Sequence, residues 1–235
     1  MEVLKLNTNI NNIKIFSNLD DCTLKKIYQA SDLKKFKKND LLFAEKEKLK
    51  YIYLLVEGVV ALYKPNKTDN GKKVLFILGP GEILNELIFD NEPTPLSCEF
   101  LTNGKILRVP KTFLNELMKN NFTLCTSIIT SLISRQKRMI HQMKTSSPSI
   151  TVDRQLAFKL WKLAKDFGKS TNEGTEINFD LSITYLAEIL GNKRETISRQ
   201  VKVLVNNSLI NLHKKRFIIK DSEKLLEYFK TENKN

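Results

Sequence analysis

The stretch from Leu181 to Ile210, LSITYLAEILGNKRETISRQVKVLVNNSLI, restricts the fold more than any other part of the chain. Asp180 and Ser182 both qualify as N-caps of a first helix, which places Leu186, Ile189 and Leu190 on one apolar face. Gly191 supplies a sharp exit, because a residue without Cβ tolerates the left-handed conformation that ends a helix tightly. A second helix is predicted after Asn192. Its apolar positions Ile197, Val201, Leu204 and Val205 recur at spacings of four, three and one and form a single stripe. The opposite face carries Arg194, Glu195, Ser198, Arg199 and Lys202, with Lys193 just before it.

Two short helices joined this way, the second polar outward, make a helix-turn-helix, whose second helix enters the major groove of DNA. The side chains suit that place. Arginine's planar fork bonds O6 and N7 of guanine together, glutamate accepts from the N4 amino group of cytosine, and serine adapts to either role. Glu195, Ser198 and Arg199 stand at i, i+3 and i+4 and share one face. The formal net charge of +13 fits a polyanionic partner. Its location says more than its total. Between Thr184 and Lys220, eight lysines and arginines face only two acids, Glu188 and Glu195, and such a concentration serves phosphate contact and counterion release.

The segment LAEILGNKRETISRQVKVLVNNSLI resembles the DNA-binding core of the Crp/Fnr transcription regulators of bacteria. Arg194-Glu195-Thr196 followed by Arg199 is similar to the Crp-type recognition helix. Glu195-Thr196-Ile197-Ser198-Arg199 resembles the Fnr type, whose glutamate, serine and arginine read a TTGA-type half-site. Both patterns are present, so the resemblance implies a palindrome with TTGA- or TGTGA-like halves and leaves the choice open.

Upstream, Asn18 to Ala30 reads as a short amphipathic helix capped by Asn18 or Asp20, with Ile13, Ile15, Phe16 and Leu19 packing beneath. From Leu33 to Pro110 the chain becomes strands: Phe36, Leu41–Phe43, Tyr51–Val56, Val59–Tyr63, Val74–Leu78 and Ile106–Val109. Gly58, Asn70-Gly71 and Gly79-Pro80-Gly81 punctuate them, the pattern of hairpins in an antiparallel barrel or roll. This region resembles the cyclic-nucleotide-binding β-roll of the same family. There the Crp type holds the cyclic AMP sugar-phosphate with a Gly-Glu-Leu segment and a later Arg-Ser. The matching positions are Asn85-Glu86-Leu87 and Leu96-Ser97. Glu86 and Ser97 fit, but Leu96 replaces the arginine that would neutralise the phosphate, and Asn85 replaces the glycine. A phosphodiester without a cationic partner is expensive to bury. The long-helix positions that would meet the base fall near Lys137, Arg138 and Met139. The expectation is therefore an effector other than cyclic AMP, in a pocket bounded by Asn85, Glu86, Leu96, Ser97 and Arg138. Only Cys22 precedes Cys98, which speaks against the family's iron–sulfur cluster. Haem remains open through Cys, Met or Lys ligation, since the two histidines, His141 and His213, lie outside the roll.

From Lys111 to about Lys144 a long helical stretch is predicted. Cys125, Ile129, Leu132, Gln136, Met139 and Met143 follow a 4-3-4-3-4 spacing, the seam of a two-stranded coiled coil with Gln136 as a register-setting polar residue. Ile128, Ile133 and Ile140 flank it and are expected to pack on the roll. Placed between roll and helix-turn-helix, this helix is read as a homodimer interface, which suits a two-fold protein on a palindrome.

Thr145-Ser-Ser-Pro-Ser149 marks a hinge, and Arg154–Phe167 resumes as an amphipathic helix whose core side includes Leu156, Leu160, Trp161, Leu163, Ala164 and Phe167. Gly168–Gly174 reads as a polar loop and Glu176–Phe179 as a short strand. Asn211–His213 and Phe217–Ile219 flank Lys214-Lys215-Arg216, a wing with a basic tip suited to phosphate. Ser222–Phe229 closes the fold as a helix, and a disordered tail is expected after it.

The expected class is α+β, with an antiparallel β-roll sensor over 1–110, a long dimerisation helix and hinge over 111–148, and a winged helix-turn-helix domain over 149–235. At 235 residues there is room for two modest domains with a core in each. No apolar run reaches the roughly eighteen residues of a membrane span, and MEVLKLNTN lacks the layout of an export signal. Three scattered cysteines, Cys22, Cys98 and Cys125, suit neither a disulfide framework nor a metal site and read as small apolar residues. No nucleotide-binding glycine loop or hydrolase motif occurs, which argues against an enzyme. These features imply a cytoplasmic regulator whose partners are double-stranded DNA, a second copy of itself and RNA polymerase, with no membrane. A family member that needs no effector and one that responds to haem or nitric oxide are the alternatives. A cyclic-nucleotide-binding module without DNA, as in kinase regulatory subunits or channels, is disfavoured by Leu181–Ile210.

Overall fold

The computed structural model describes residues 13–66 and 71–231. The leading MEVLKLNTN, Asn70 at an expected hairpin tip and the closing ENKN lie outside those residues. The chain divides into two compact units, Met1–Arg138 and Met139–Asn235.

In the first unit, α1 (Asp21–Ala30) starts at Asp20, whose carboxylate accepts from the Thr23 backbone N–H at 2.8 Å. Seven strands follow: β1 (Asp32–Phe36), β2 (Leu41–Phe43), β3 (Tyr51–Glu57), β4 (Val60–Pro65), β5 (Lys72–Leu78), β6 (Ser97–Phe100) and β7 (Gly104–Pro110). They form two antiparallel sheets, ordered β1-β7-β3 and β2-β6-β4-β5. Strand β3 is buried from Ile52 to Val56 without alternation, because both of its faces are covered. Tyr53 and Leu55 join Phe43, Leu62, Phe76, Cys98 and Phe100 in the core between the sheets. Ile52, Leu54 and Val56 turn the other way and pack with Ile13, Phe16, Ile27, Leu114, Leu124 and Ile128 under the helices. At the β3–β4 corner Gly58 has φ +95°, and a Cβ there would stand 2.7 Å from the Asn103 carbonyl oxygen.

The long helical stretch is two helices, α2 (Lys111–Lys119) and the 24-residue α3 (Phe122–Thr145). The break falls at Asn120-Asn121, where the Asn121 side chain caps α3 by accepting from the Leu124 N–H at 2.8 Å. Of the isoleucines expected on the roll, only Ile128 is there; Ile133 and Ile140 are exposed. The roll-facing stripe is instead Leu124, Ile128, Ser131, Arg135 and Arg138, which the 3.6-residue period places on one side, whereas Ile133 and Ile140 adjoin the seam. Strand β6 escaped the sequence pattern because three of its four residues are buried. Of the cysteines, Cys98 is buried, Cys125 half-buried and Cys22 exposed, so only Cys98 is a core residue; burial pushes its thiol well above the usual range.

The second unit contains α4 (Val152–Phe167), α5 (Ile183–Leu190), α6 (Arg194–Asn206) and α7 (Ser222–Lys230), with a sheet ordered β10-β11-β9-β8. Its strands are β8 (Gly168–Thr171), β9 (Gly174–Ile177), β10 (Ile210–His213) and β11 (Arg216–Ile219). Residues 168–171 are thus a strand rather than a loop. Strand β8 is an exposed edge paired on one side only, so no apolar alternation announces it. Leu156, Ala157, Leu160, Leu163 and Ala164 of α4 form the core, while Trp161 and Phe167 are half-buried at its border. Helix α7 closes on α4 through Phe158 and Phe229, whose ring centroids are 4.6 Å apart, and through Tyr228, whose hydroxyl donates to Asp153 at 2.6 Å.

That last bond gives a pH-dependent stability. Burial, and then Asp153, push the Tyr228 phenol up to about 12, above an unfolded value of about 10. The stabilisation is whole below pH 10 and is lost as pH rises through the folded value. Tyr228→Phe is expected to cost about 1–2 kcal/mol at pH 7 and to remove the alkaline decline, as read by urea unfolding followed through Trp161 fluorescence.

Candidate nucleic-acid interface

Helix α5 begins at Ser182, whose hydroxyl accepts from the Tyr185 N–H at 3.0 Å; Asp180, the other candidate cap, instead receives the Arg216 guanidinium at 3.0 Å. Gly191 ends α5 in the left-handed region at φ +69°, and its N–H returns to the Ala187 carbonyl at 2.8 Å. Asn192 follows the same carbonyl at 3.1 Å. These bonds fix the turn, and α6 departs from it at Arg194.

Ile197, Val201 and Leu204 seat α6, but Val205 is exposed rather than part of the buried stripe. The outward row is Glu195, Ser198, Arg199 and Lys202 at i, i+3, i+4 and i+7. Glu195, Arg199 and Lys202 are exposed, Ser198 is half-buried, and none of the three charged groups enters an ion pair among the described residues. The N-cap position of α6 is Lys193, with no side-chain cap. A cation there opposes the helix dipole and leaves first-turn N–H groups open, an arrangement that a nearby anion would relieve.

The wing stands beside this helix start. Lys214, at φ +58°, and Lys215 form the turn between β10 and β11, and the Lys215 carbonyl accepts from the Leu181 N–H at 2.8 Å. Ser182, Thr184, Arg194, Lys214 and Lys215, together with Leu212, line a cleft of roughly 210 Å³. Three cations and two hydroxyls around one cleft suit a phosphodiester. Arg216 is not at the tip. It lies in β11, where Asp180 and Glu176 hold it at 3.0 and 3.6 Å. Behind the wing, Glu173 accepts from Asn211 at 3.2 Å and stands 3.2 Å from the His213 ring; these two neighbours hold its carboxyl below the usual range.

In the roll, the side chains singled out as an effector pocket are committed to the protein itself. Asn85 is buried and clamps β3, accepting from the Tyr53 N–H and donating to the Tyr51 carbonyl, both at 2.8 Å. Ser97 is buried and accepts from the Glu45 N–H at 2.9 Å. Leu96 packs against the inter-sheet core. Glu86, 5% exposed, accepts through Oε1 from Ser131 at 3.0 Å and from Arg135 Nη2 at 2.8 Å. Arg138 donates to Glu82 at 2.6 Å, as does Lys14. Burial pushes the Glu82 carboxyl up, but these two cations outweigh it and leave it lowered. Sequence reasoning missed Arg135 and Glu82; the 4-3-4-3 recurrence of residues 124, 128, 131, 135 and 138 was the available signal.

The third set of residues lies along α3. Ile129, Leu132, Met139 and Met143 are exposed, as is Gln136, and Cys125 is half-buried with its thiol donating to the Met118 carbonyl. Phe122, 82% exposed, extends the same seam by one further position. Its place three residues before Cys125 could have revealed it.

Comparison with known proteins bears on both units. Residues 33–121 match the cyclic nucleotide-binding domain, and residues 154–228 match the Crp-like helix-turn-helix domain. The chain is 25% identical over 191 residues to the CRP-like cAMP-activated global transcriptional regulator of Mycobacterium tuberculosis, covering 81% of this chain and 84% of that protein. It is 24% identical over 201 residues to the global nitrogen regulator of Synechococcus elongatus, covering 84% and 89%. The solved c-di-GMP-responsive global regulator CLP of Xanthomonas campestris superposes with a TM-score of 0.74 at 18% identity, over 86% of this chain and all of that one. No helix among the described residues is long and apolar enough to cross a membrane.

The two bonds made by Asn85 test whether it is part of the framework. Asn85→Ala strands one buried donor and one buried acceptor of β3 and is expected to cost about 2–4 kcal/mol of stability. Unchanged urea unfolding would mean that Asn85 faces a ligand instead.

Proposed function

Since the chain belongs to the Crp/Fnr family of transcriptional regulators and carries its DNA-binding domain, we propose that it acts as a homodimer on a palindrome with TTGA- or TGTGA-like halves. In this reading residues 1–110 sense a signal, 111–148 join two copies, and 149–235 bind DNA. The observation that carries it is the outward row Glu195, Ser198, Arg199 and Lys202 on α6, whose charged members enter no ion pair among the described residues, beside the cationic cleft of Ser182, Thr184, Arg194, Lys214 and Lys215. Glu195, Ser198 and Arg199 read bases; Lys193, Arg194, Lys202, Lys214 and Lys215 hold phosphates; Arg216 keeps the wing in place through Asp180. Two-fold symmetry then sets both recognition helices into successive major grooves. A signal acting on the roll or on α3 changes their spacing, and contact with RNA polymerase in the cytoplasm turns occupancy into activation or repression.

Selection of a randomised duplex library by the purified full-length protein at fixed salt tests the reading. It should enrich a TTGA- or TGTGA-type palindrome; a library without enrichment, with and without added small molecules, rejects it. Arg199→Ala should cost about 1–3 kcal/mol on the selected site and relax preference at one guanine, whereas Lys214→Ala should weaken binding to all sequences and flatten the salt dependence. Equal loss on specific and random DNA for Arg199→Ala would remove it from base reading.

The homodimer rests on the exposed seam from Phe122 to Met143. Ile129→Glu places like charges across that seam and should shift the protein to monomers in sedimentation, with at least about a tenfold loss of affinity for the palindrome. A variant that stays dimeric would put the interface elsewhere.

A further inference from the structure

The turn between α3 and α4 reads in the sequence as a hinge, yet in the structure it is hydrogen-bonded from end to end. Thr145 closes α3 by donating its hydroxyl to the His141 carbonyl at 3.0 Å, and the Ser146 N–H donates to the Gln142 carbonyl at 2.9 Å. The Ile150 N–H returns to the Ser147 carbonyl at 3.0 Å, and the hydroxyls of Ser147 and Ser149 stand 2.8 Å apart. Gln155, near the start of α4, closes the turn from the other side. Its Nε2 donates to the Ile150 carbonyl at 2.8 Å and to the Ser147 carbonyl at 3.2 Å.

A side-chain amide has two N–H donors, and here both are used, one at each end of residues 147–150. The two carbonyls also decide which way the amide points, since its oxygen in that place would face two other oxygens. The start of α4 that carries Gln155 is itself tied down. Arg154 donates to the Phe229 carbonyl at 2.9 Å, and Asp153 receives the Tyr228 hydroxyl. A turn of serines around one proline has no apolar side chain to pack, so its shape depends on these bonds. All of them lie within the second compact unit.

We propose that Gln155 is a positioning residue for DNA recognition: it locks residues 146–150 into a fixed elbow, so that the last turn of α3 and the whole of α4 move as one piece. The chain then does not bend at its serine–proline turn. An open hinge there would let each helix-turn-helix take many angles to α3, and a palindrome would be accepted at several half-site separations. A fixed elbow admits one, because half-site separation mirrors the geometry of the dimer. The proposal rests on the reading of the chain as a dimer on a palindrome. It names the element through which a displacement of α3 reaches the recognition helices.

Two variants of the full-length protein remove the donors. Gln155→Met keeps the length and helix preference of the side chain without an N–H, and Gln155→Glu is isosteric with a charge that suits the start of a helix, so both leave α4 folded. Gln155→Lys gives a donor back. Amide hydrogen exchange over residues 146–150 should accelerate at least about fivefold in the Met and Glu variants, with residues 156–164 unchanged and the Lys variant close to wild type. Duplex selection from a library of half-sites at varied separations should give the wild type a single separation. In the Met and Glu variants the share at neighbouring separations should rise at least about threefold, with the half-site sequence unchanged and the Lys variant restored. A residue that serves stability alone would lower affinity at every separation alike. Unchanged exchange overturns the elbow. Faster exchange with an unaltered choice of separation overturns the positioning role, as does a wild type that accepts several separations. A wild type that selects no palindrome at any separation rejects the dimeric reading and the positioning role with it, while the exchange measurement still decides the elbow by itself.

Discussion

The N-terminal unit depends on one constraint: the β1-β7-β3 sheet is apolar on both faces and both must be covered. Tyr53, Leu55 and Ile106 are covered by the second sheet. Ile52, Leu54, Leu107 and Val109 are covered by the segment from Ile13 to Phe16 and by α1, α2 and the start of α3. Burying a large aliphatic side chain contributes about 1.5–3 kcal/mol, so Leu124 and Ile128 anchor α3 by its first turns. That anchoring fixes which side of α3 faces the protein. The opposite side, from Phe122 to Met143, is left apolar and exposed on a helix of about 36 Å. An apolar row of that length on a water-facing helix needs a partner.

Beyond Ile128 the roll-facing stripe changes character, from Leu and Ile to Ser131, Arg135 and Arg138. A buried ion pair adds little net stability, since desolvation offsets most of the attraction. What Arg135–Glu86 and Arg138–Glu82 add is direction, each joining one side of α3 to one carboxylate of the roll.

Legibility followed the same physics. The helix-turn-helix was readable to within a residue or two, because Gly191, the Ser182 cap and the spacing of Ile197, Val201 and Leu204 all state one geometry. The strands β3, β4, β5 and β7 were readable as apolar runs. Strand β6 was not, being four residues that serve as a buried middle strand, nor was β8, an exposed edge of Gly, Lys, Ser and Thr. The break at Asn120-Asn121 lay hidden within an amphipathic pattern that runs through it, although Asn121 is an ordinary capping residue. At the sites, the outward row of α6 could be read because it depends only on helical period. The fate of Asn85, Ser97 and Glu86 could not, because each bonds a residue far away in sequence, as Glu86 does across to Arg135. Arg216 shows the same limit: its sequence places it in a basic tip, and its fold gives it to Asp180.

The proposed pairing of two copies bears on how much one recognition helix can discriminate. In the proposed reading three base-reading side chains, each discriminating by about 1–3 kcal/mol, give one α6 roughly 3–9 kcal/mol over random sequence. Specific sites must stand about 4–10 kcal/mol above non-specific binding to be found in a genome. Only with contacts at the weak end of that range does one helix fall below the window, and the surrounding cations cannot raise it, because phosphate contacts strengthen all sequences alike. Doubling the number of base contacts at fixed spacing can. In the proposed dimer the exposed seam on α3 and the short polar row on α6 answer one requirement: the face that the roll leaves uncovered would bring a second reading head to the same DNA.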